Sequence, residues 1–127
     1  MVRKEVSYLR SVLIVDDQPG IRLLLNELLQ REGYTVRLAA NGLQALQEVN
    51  KEQPDCILLD MKMAGMDGIE VLEEIMKSWP EIPVFMMTAY DELELINEVL
   101  AMGALKYFTK PFDIFEVRDA VNGLFVG

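Results

Sequence analysis

Histidine is absent from the chain, cysteine occurs once, and basic residues number 12 against 21 acidic ones. Each shortage removes a class of function. Cys56 has no imidazole to activate its thiol and no second cysteine to pair with, so in the apolar run CILL it reads as a small core residue. A net charge of −9 opposes nucleic-acid binding, which depends on neutralising phosphates. It suits divalent cations and basic partner surfaces. No apolar run approaches the roughly 20 residues that span a bilayer, so no membrane association is expected. Residues 1–11 carry charges but lack the apolar core of a signal peptide, and a cytoplasmic location is expected. Linkers, internal repeats and low-complexity tracts are also missing. The 127 residues are expected to form one domain with its core at about 11–126, and from the stop just after the last helix no output domain is expected.

What the chain does contain is an alternation of short apolar runs and longer amphipathic ones. Hydrophobic residues make up 51%, enough to bury a substantial core. VLIV at 12–15 predicts a buried strand, Pro19 suits the first turn of a helix, and Gly33 should end it. In that helix Ile21, Leu24, Leu25 and Leu28 keep the spacing of a core face, while Leu23 points away from it. A second strand is predicted at 35–39 and a helix at 43–51, with Ala45, Leu46 and Val49 inward. The third strand covers 56–59 and ends at Asp60. The loop MKMAGMDG follows, then a helix with Ile69, Leu72, Ile75 and Met76 on one face. Residues 84–87 give the fourth strand, 92–102 the fourth helix and ALKYF the fifth strand. The last helix uses Ile114, Val117, Val121 and Leu124. Five strand–helix pairs with uninterrupted apolar strands predict a parallel sheet covered on both faces. The expected fold is a doubly wound, flavodoxin-like three-layer α/β sandwich with strand order 2-1-3-4-5.

In such folds ligands gather at the carboxyl ends of the strands. Asp16 and Asp17 follow strand one, Asp60 follows strand three, Thr88 strand four and Lys110 strand five. Singly each has a bland reading: a strand-terminal Asp caps a turn, Thr88 bonds local backbone, Lys110 is a surface lysine, and Tyr107 is an aromatic at a sheet edge. Together they change the reading. Three carboxylates on one rim repel one another unless a cation neutralises them, and a hard ion such as Mg²⁺ suits oxygen ligands with several waters. Lys110 and Thr88 add an ammonium and a hydroxyl able to hold the oxygens of a transferring phosphoryl group. Asp60, alone after the central strand, is the better nucleophile. Asp17 is expected to ligate the metal directly and Asp16 directly or through water, and the backbone carbonyl of Lys62 is a further candidate ligand.

These residues resemble the defining motifs of bacterial two-component response-regulator receiver domains, over 12–125: DD at Asp16–Asp17, LLDMKM around Asp60, TA at Thr88–Ala89 and KP at Lys110–Pro111. The resemblance implies that Asp60 accepts a phosphoryl group from the phosphohistidine of a sensor histidine kinase, with Mg²⁺ required. It also implies a cis Lys110–Pro111 bond, and a switch in which Thr88 turns toward the phosphate and Tyr107 moves inward. The face of helix four around Leu93, Ile96 and Leu100 is expected to shift with it. The longer stretches VDDQPGIRLLLNELLQREGY, AANGLQAL, LLDMKMAGMDGIEVL, MTAYDELELI and KPFDIFEVRDAV are similar to the single-domain branch that relays phosphate in sporulation. That similarity implies onward transfer to a histidine phosphotransferase by a monomer. It also implies a docking surface at Gln18, Gly20, Ile21 and Leu24 with Pro111 and Phe112 beside them; core packing is the other reading of Ile21 and Leu24. Ala64 departs from the proline usual in family loops, which is expected to loosen the loop without removing a reactive group. Other readings stand beside the relay: a receiver that binds a target directly, the receiver of a longer transcriptional regulator, a Mg²⁺-dependent phosphomonoesterase, and a flavodoxin-like binding module. The last two rank low, because Lys62 stands where an esterase wants a general acid and the first loop lacks phosphate-cradling glycines and hydroxyls.

Overall fold

The computed structural model describes residues 9–125. Residues 1–8 of the charged N-terminal stretch and residue 126 of the expected domain core lie outside the described residues. Five strands alternate with helices: β1 (Ser11–Val15), α1 (Pro19–Arg31), β2 (Thr35–Ala39), α2 (Gly42–Lys51), β3 (Cys56–Asp60), α3 (Gly68–Ser78), β4 (Val84–Thr88), α4 (Ile96–Met102), β5 (Lys106–Thr109) and α5 (Ile114–Leu124). A 3₁₀ helix, Tyr90–Leu95, leads into α4. The strands pair in the order β2-β1-β3-β4-β5, all parallel, which is the predicted topology. No described helix is long and apolar enough to cross a membrane.

Alternate residues of each strand feed opposite faces of the sheet. Leu13, Val15, Ile57, Leu59, Val84 and Met86 pack with Val71, Leu72 and Ile75 of α3 and Val99 of α4. Val12, Ile14, Cys56, Leu58, Phe85 and Met87 pack with Leu25 and Leu29 of α1 and Val117 and Val121 of α5. Two cores thus share one sheet, which is why the central strands read as unbroken apolar runs. The helix starts are locally encoded. Asn41 accepts the Gln44 N–H at 2.9 Å, Asp113 accepts the Phe115 N–H at 2.9 Å, and Asp67 with Glu70 forms a reciprocal capping box. Each satisfies an orphan amide of a first turn. Gly33, at φ 98°, ends α1 in a conformation that side chains disfavour.

Three expectations need correction. The buried residues of α1 are Leu25 and Leu29, whereas Leu24 is 43% exposed. At about 100° per residue, Leu24 sits about 120° round the helix from the line between Leu25 and Leu29. Leu23 does point outward, at 61% exposure. The fourth helix, predicted as α-helical from 92, begins as the tighter 3₁₀ turn because the Glu92 N–H bonds the Ala89 carbonyl three residues back, at 3.0 Å. The fifth strand starts at Lys106 rather than at Ala104, although the Leu105 N–H already reaches the Val84 carbonyl at 2.8 Å.

The two α1 leucines give a direct test of this packing. Leu29→Ala should cost about 2–5 kcal/mol in urea unfolding, as expected for a filled core position. Leu24→Ala should cost less than about 1 kcal/mol.

Candidate functional site

Parallel register carries four loops to one rim. Val15 pairs with Leu59, Asp60 with Met87 and Thr88 with Thr109, so the residues just beyond the strand ends become neighbours. Asp16 is fully buried and Asp60 is 4% exposed, while Asp17 faces solvent. One carboxylate oxygen from each of the three lies within 4.8 Å of the others. Lys110 Nζ donates to Asp16 Oδ2 at 2.8 Å and to Asp60 Oδ1 at 3.3 Å. Asp17, Gln18, Asp60, Lys62, Ala89, Glu92 and Lys110 line an open cleft of about 280 Å³.

Burial, reinforced by the Asp16 charge, pushes the Asp60 carboxyl up to about 7 against the pull of Lys110. Burial also opposes the charge on Lys110, but its hydrogen bond to Asp16 and the Asp60 charge outweigh that and raise its pKa. Lys110 faces two carboxylates and a third stands beside them, so the cluster carries more negative charge than this ammonium offsets. A hard divalent cation bound through oxygen fits that donor set.

Backbone bonds fix the rim. The Met61 N–H donates to the Met87 carbonyl at 2.8 Å, the Gly68 N–H to the Met61 carbonyl at 2.8 Å and the Lys110 N–H to the Thr88 carbonyl at 2.7 Å. A Cβ on Gly68 would lie 2.1 Å from the Asp60 carbonyl oxygen. Only glycine lets the start of α3 approach the end of β3 this closely. The Lys110–Pro111 bond is cis, as the family resemblance implied. Arg22 Nη1 donates to the Asp16 carbonyl at 2.7 Å, and Asp16 Oδ1 accepts the Gln18 N–H at 2.9 Å.

Thr88 is fully buried, with its hydroxyl 3.5 Å from the Phe108 carbonyl. Tyr107 lies on β5 and is 39% exposed. Lys62 lines the cleft, but its side chain extends toward Glu92, with Nζ 3.9 Å from Oε2. The expected docking residues do not share one depression. Gln18 borders the acidic cleft, Leu24 lines a groove with Leu28 and Phe115, and Pro111 and Phe112 line a third hollow with Tyr107. Gly20 is exposed, and Ile21 packs against the α1–α5 core.

Three contacts at the rim escaped the sequence reading. Gln18 accepts from Lys110 Nζ at 3.4 Å, and Arg22 ties down the first loop. Buried Glu92 accepts the Ala89 N–H at 2.7 Å. A glutamate three residues beyond Ala89 has the spacing of a capping box, but Ala89 lacks the side-chain oxygen that would complete one, so the sequence carries only half of the signal.

The fold and this rim define a receiver. A family model for the response regulator receiver domain matches residues 12–122, and the chain belongs to that family. Among curated proteins it is 59% identical over 112 residues to sporulation initiation phosphotransferase F of Bacillus subtilis, covering 88% of this chain and 90% of that one. It is 48% identical to transcriptional regulatory protein ZraR of Klebsiella oxytoca over 85% of this chain, which is 24% of that protein's length. Among solved structures, the receiver domain of NtrX from Brucella abortus superposes with a TM-score of 0.84 at 32% identity, over 88% of this chain and 95% of that one.

The raised Asp60 pKa has a consequence for stability. The folded state holds this proton more tightly than the unfolded chain, whose carboxyl titrates near 3.8. Between about pH 4 and pH 7 the contribution of Asp60 to the stability of the metal-free protein therefore falls as pH rises, and above that window the fall is complete. With a chelator present, Asp60→Asn should melt at a higher temperature than wild type at pH 8, and the difference should vanish by pH 4. Thermal scans at the two pH values check it.

Proposed function

We propose that the protein is a Mg²⁺-dependent phosphoryl acceptor and carrier in a phosphorelay. It takes the group from a sensor histidine kinase onto Asp60 and passes it to a histidine phosphotransferase, working as a cytoplasmic monomer of one domain. The observation that carries the reading is the convergence of Asp16, Asp17 and Asp60 within 4.8 Å with Lys110 bridging the two buried carboxylates. The relay role, as distinct from phosphoryl acceptance, is supported by the 59% identity to the sporulation phosphotransferase over nine-tenths of that protein's length.

A carboxylate oxygen of Asp60 attacks the phosphorus of the donor phosphoimidazole. The P–N bond breaks, its electron pair returns to the imidazole nitrogen, which takes a proton, and an acyl phosphate remains on Asp60. Asp16, Asp17, Asp60 and the Lys62 carbonyl would hold Mg²⁺, which when bound neutralises the carboxylates and the phosphoryl oxygens. Lys110 stabilises charge on the phosphoryl group from the other side. Thr88 turns its hydroxyl from the Phe108 carbonyl toward the phosphate, and Tyr107 moves inward behind it. Gln18, Gly20, Ile21, Leu24, Pro111 and Phe112 form the docking surface around the cleft. Transfer to the second histidine reverses the bond changes. A second reading, the receiver portion of a longer transcriptional regulator, is favoured by the similarity to ZraR, of which this chain spans about a quarter.

Incubation with Mg²⁺ and acetyl phosphate should add one phosphoryl mass that hydroxylamine removes, and Asp60→Asn should take up none at that rate. Mass spectrometry reads both. Rapid transfer of the label to a histidine phosphotransferase from the same source supports the relay; a stable phosphoprotein that transfers nothing supports the regulator. Lys110→Ala should fold but slow phosphorylation by about tenfold or more, as expected for loss of one charge-stabilising donor.

A further inference from the structure

Glu92 is 3% exposed, yet the phosphoryl chemistry assigned above makes no use of it. It lines the same cleft as Asp60, Lys62 and Ala89. Its Oε1 takes the Ala89 N–H at 2.7 Å, and its Oε2 lies 3.9 Å from the Lys62 ammonium. An amide and a cation beside the nucleophile are thus already bound to an internal anion. Glu92 also sits within the 3₁₀ helix Tyr90–Leu95, and its own N–H bonds the Ala89 carbonyl at 3.0 Å. Side chain and backbone together pin that turn to the end of β4.

We propose that Glu92 is the resting occupant of the anion position at the Ala89 amide, and that a phosphoryl group on Asp60 displaces it. The inference rests on the phosphoacceptor reading of Asp60. A phosphoryl group brings about −1.5 to −2 charges and three acceptor oxygens into the cleft. The Glu92 carboxylate then faces a like charge in a partly desolvated space, and a stronger competitor for both of its donors. Once displaced, it no longer holds the turn that carries Leu93, itself 38% exposed, and leads into α4. The charge change at Asp60 is thereby converted into release of a surface element, a two-state device biased by ligand charge. Glu92 is a positioning residue: it acts through the Ala89 amide and sets how readily the phosphorylated arrangement is reached.

Glu92→Gln separates this role from simple capping, because the amide oxygen still accepts the Ala89 N–H while the charge is gone. Beryllofluoride, which mounts a phosphoryl-like group on a carboxylate, is titrated by calorimetry in excess Mg²⁺. The variant should bind it about threefold or more tighter than wild type, because the competing state is weakened, with no rise in its affinity for Mg²⁺ alone. Equal or weaker beryllofluoride binding, or a gain matched by tighter Mg²⁺ binding, overturns the proposal. A second measurement needs no variant. In wild-type protein labelled with ¹³C-glutamate, the Glu92 carboxyl resonance should move on saturation with beryllofluoride, and amide exchange across Tyr90–Leu95 should quicken. A resonance that stays put overturns the proposal. Failure of wild type to bind beryllofluoride removes the phosphoacceptor reading first and this inference with it, so the two failures are distinct.

Discussion

The Lys110 ammonium, set between the carboxylates of Asp16 and Asp60, is the contact on which the functional rim depends. Two buried acids at this distance repel each other strongly, and burial alone disfavours their charges. Lys110 makes their coexistence tolerable without cancelling the excess, which is why Asp60 stays high while Lys110 is held charged. A fully neutralised cluster would have no need of a further cation. A cluster without the lysine would protonate or spread apart. The site is held between those outcomes.

The rest of the fold supplies what that contact needs. Buried strands bring polar groups to a rim whose floor is apolar on both faces of the sheet, and a low-dielectric floor strengthens every charge interaction above it. The starts of α2, α3 and α5 are closed by their own side chains, at Asn41, Asp67 and Asp113. The start of α1 is different: Gln18 makes no side-chain cap, and the nearest acid, Asp16, is committed to Lys110 and to the Gln18 N–H. Local helix stability gives way there to the geometry of the site.

Much of this was legible in the sequence because it follows from one periodicity. Apolar runs ending in Asp, Thr or Lys predict Asp16, Asp17, Asp60, Thr88 and Lys110 on one rim of a parallel sheet; the strand order follows from the fold type and not from the runs themselves. The α1 face was less legible. Ile21, Leu23, Leu24, Leu25, Leu28 and Leu29 offer several overlapping stripes, and tertiary packing, which spacing does not encode, selects Leu25 and Leu29. Glu92 was hidden for another reason. A glutamate at the start of a helix normally reads as a solvated residue of the first turn, and only the tight turn after β4 folds its carboxylate inward. Gln18 was read as a docking residue on its place at the head of α1, and nothing in its neighbours announces the bond to Lys110.

The ion pair between Asp16 and Lys110 joins residues 94 positions apart in the chain. Closing so long a loop is entropically costly until the intervening sheet has formed, so no fragment that ends short of Lys110 can assemble the rim. During synthesis the first two aspartates leave the ribosome long before their counter-charge exists. A partly made or partly unfolded chain therefore presents a carboxylate without the charged cradle around it. The charged rim is complete only once the last strand is in place, and the fold acts as its own quality check.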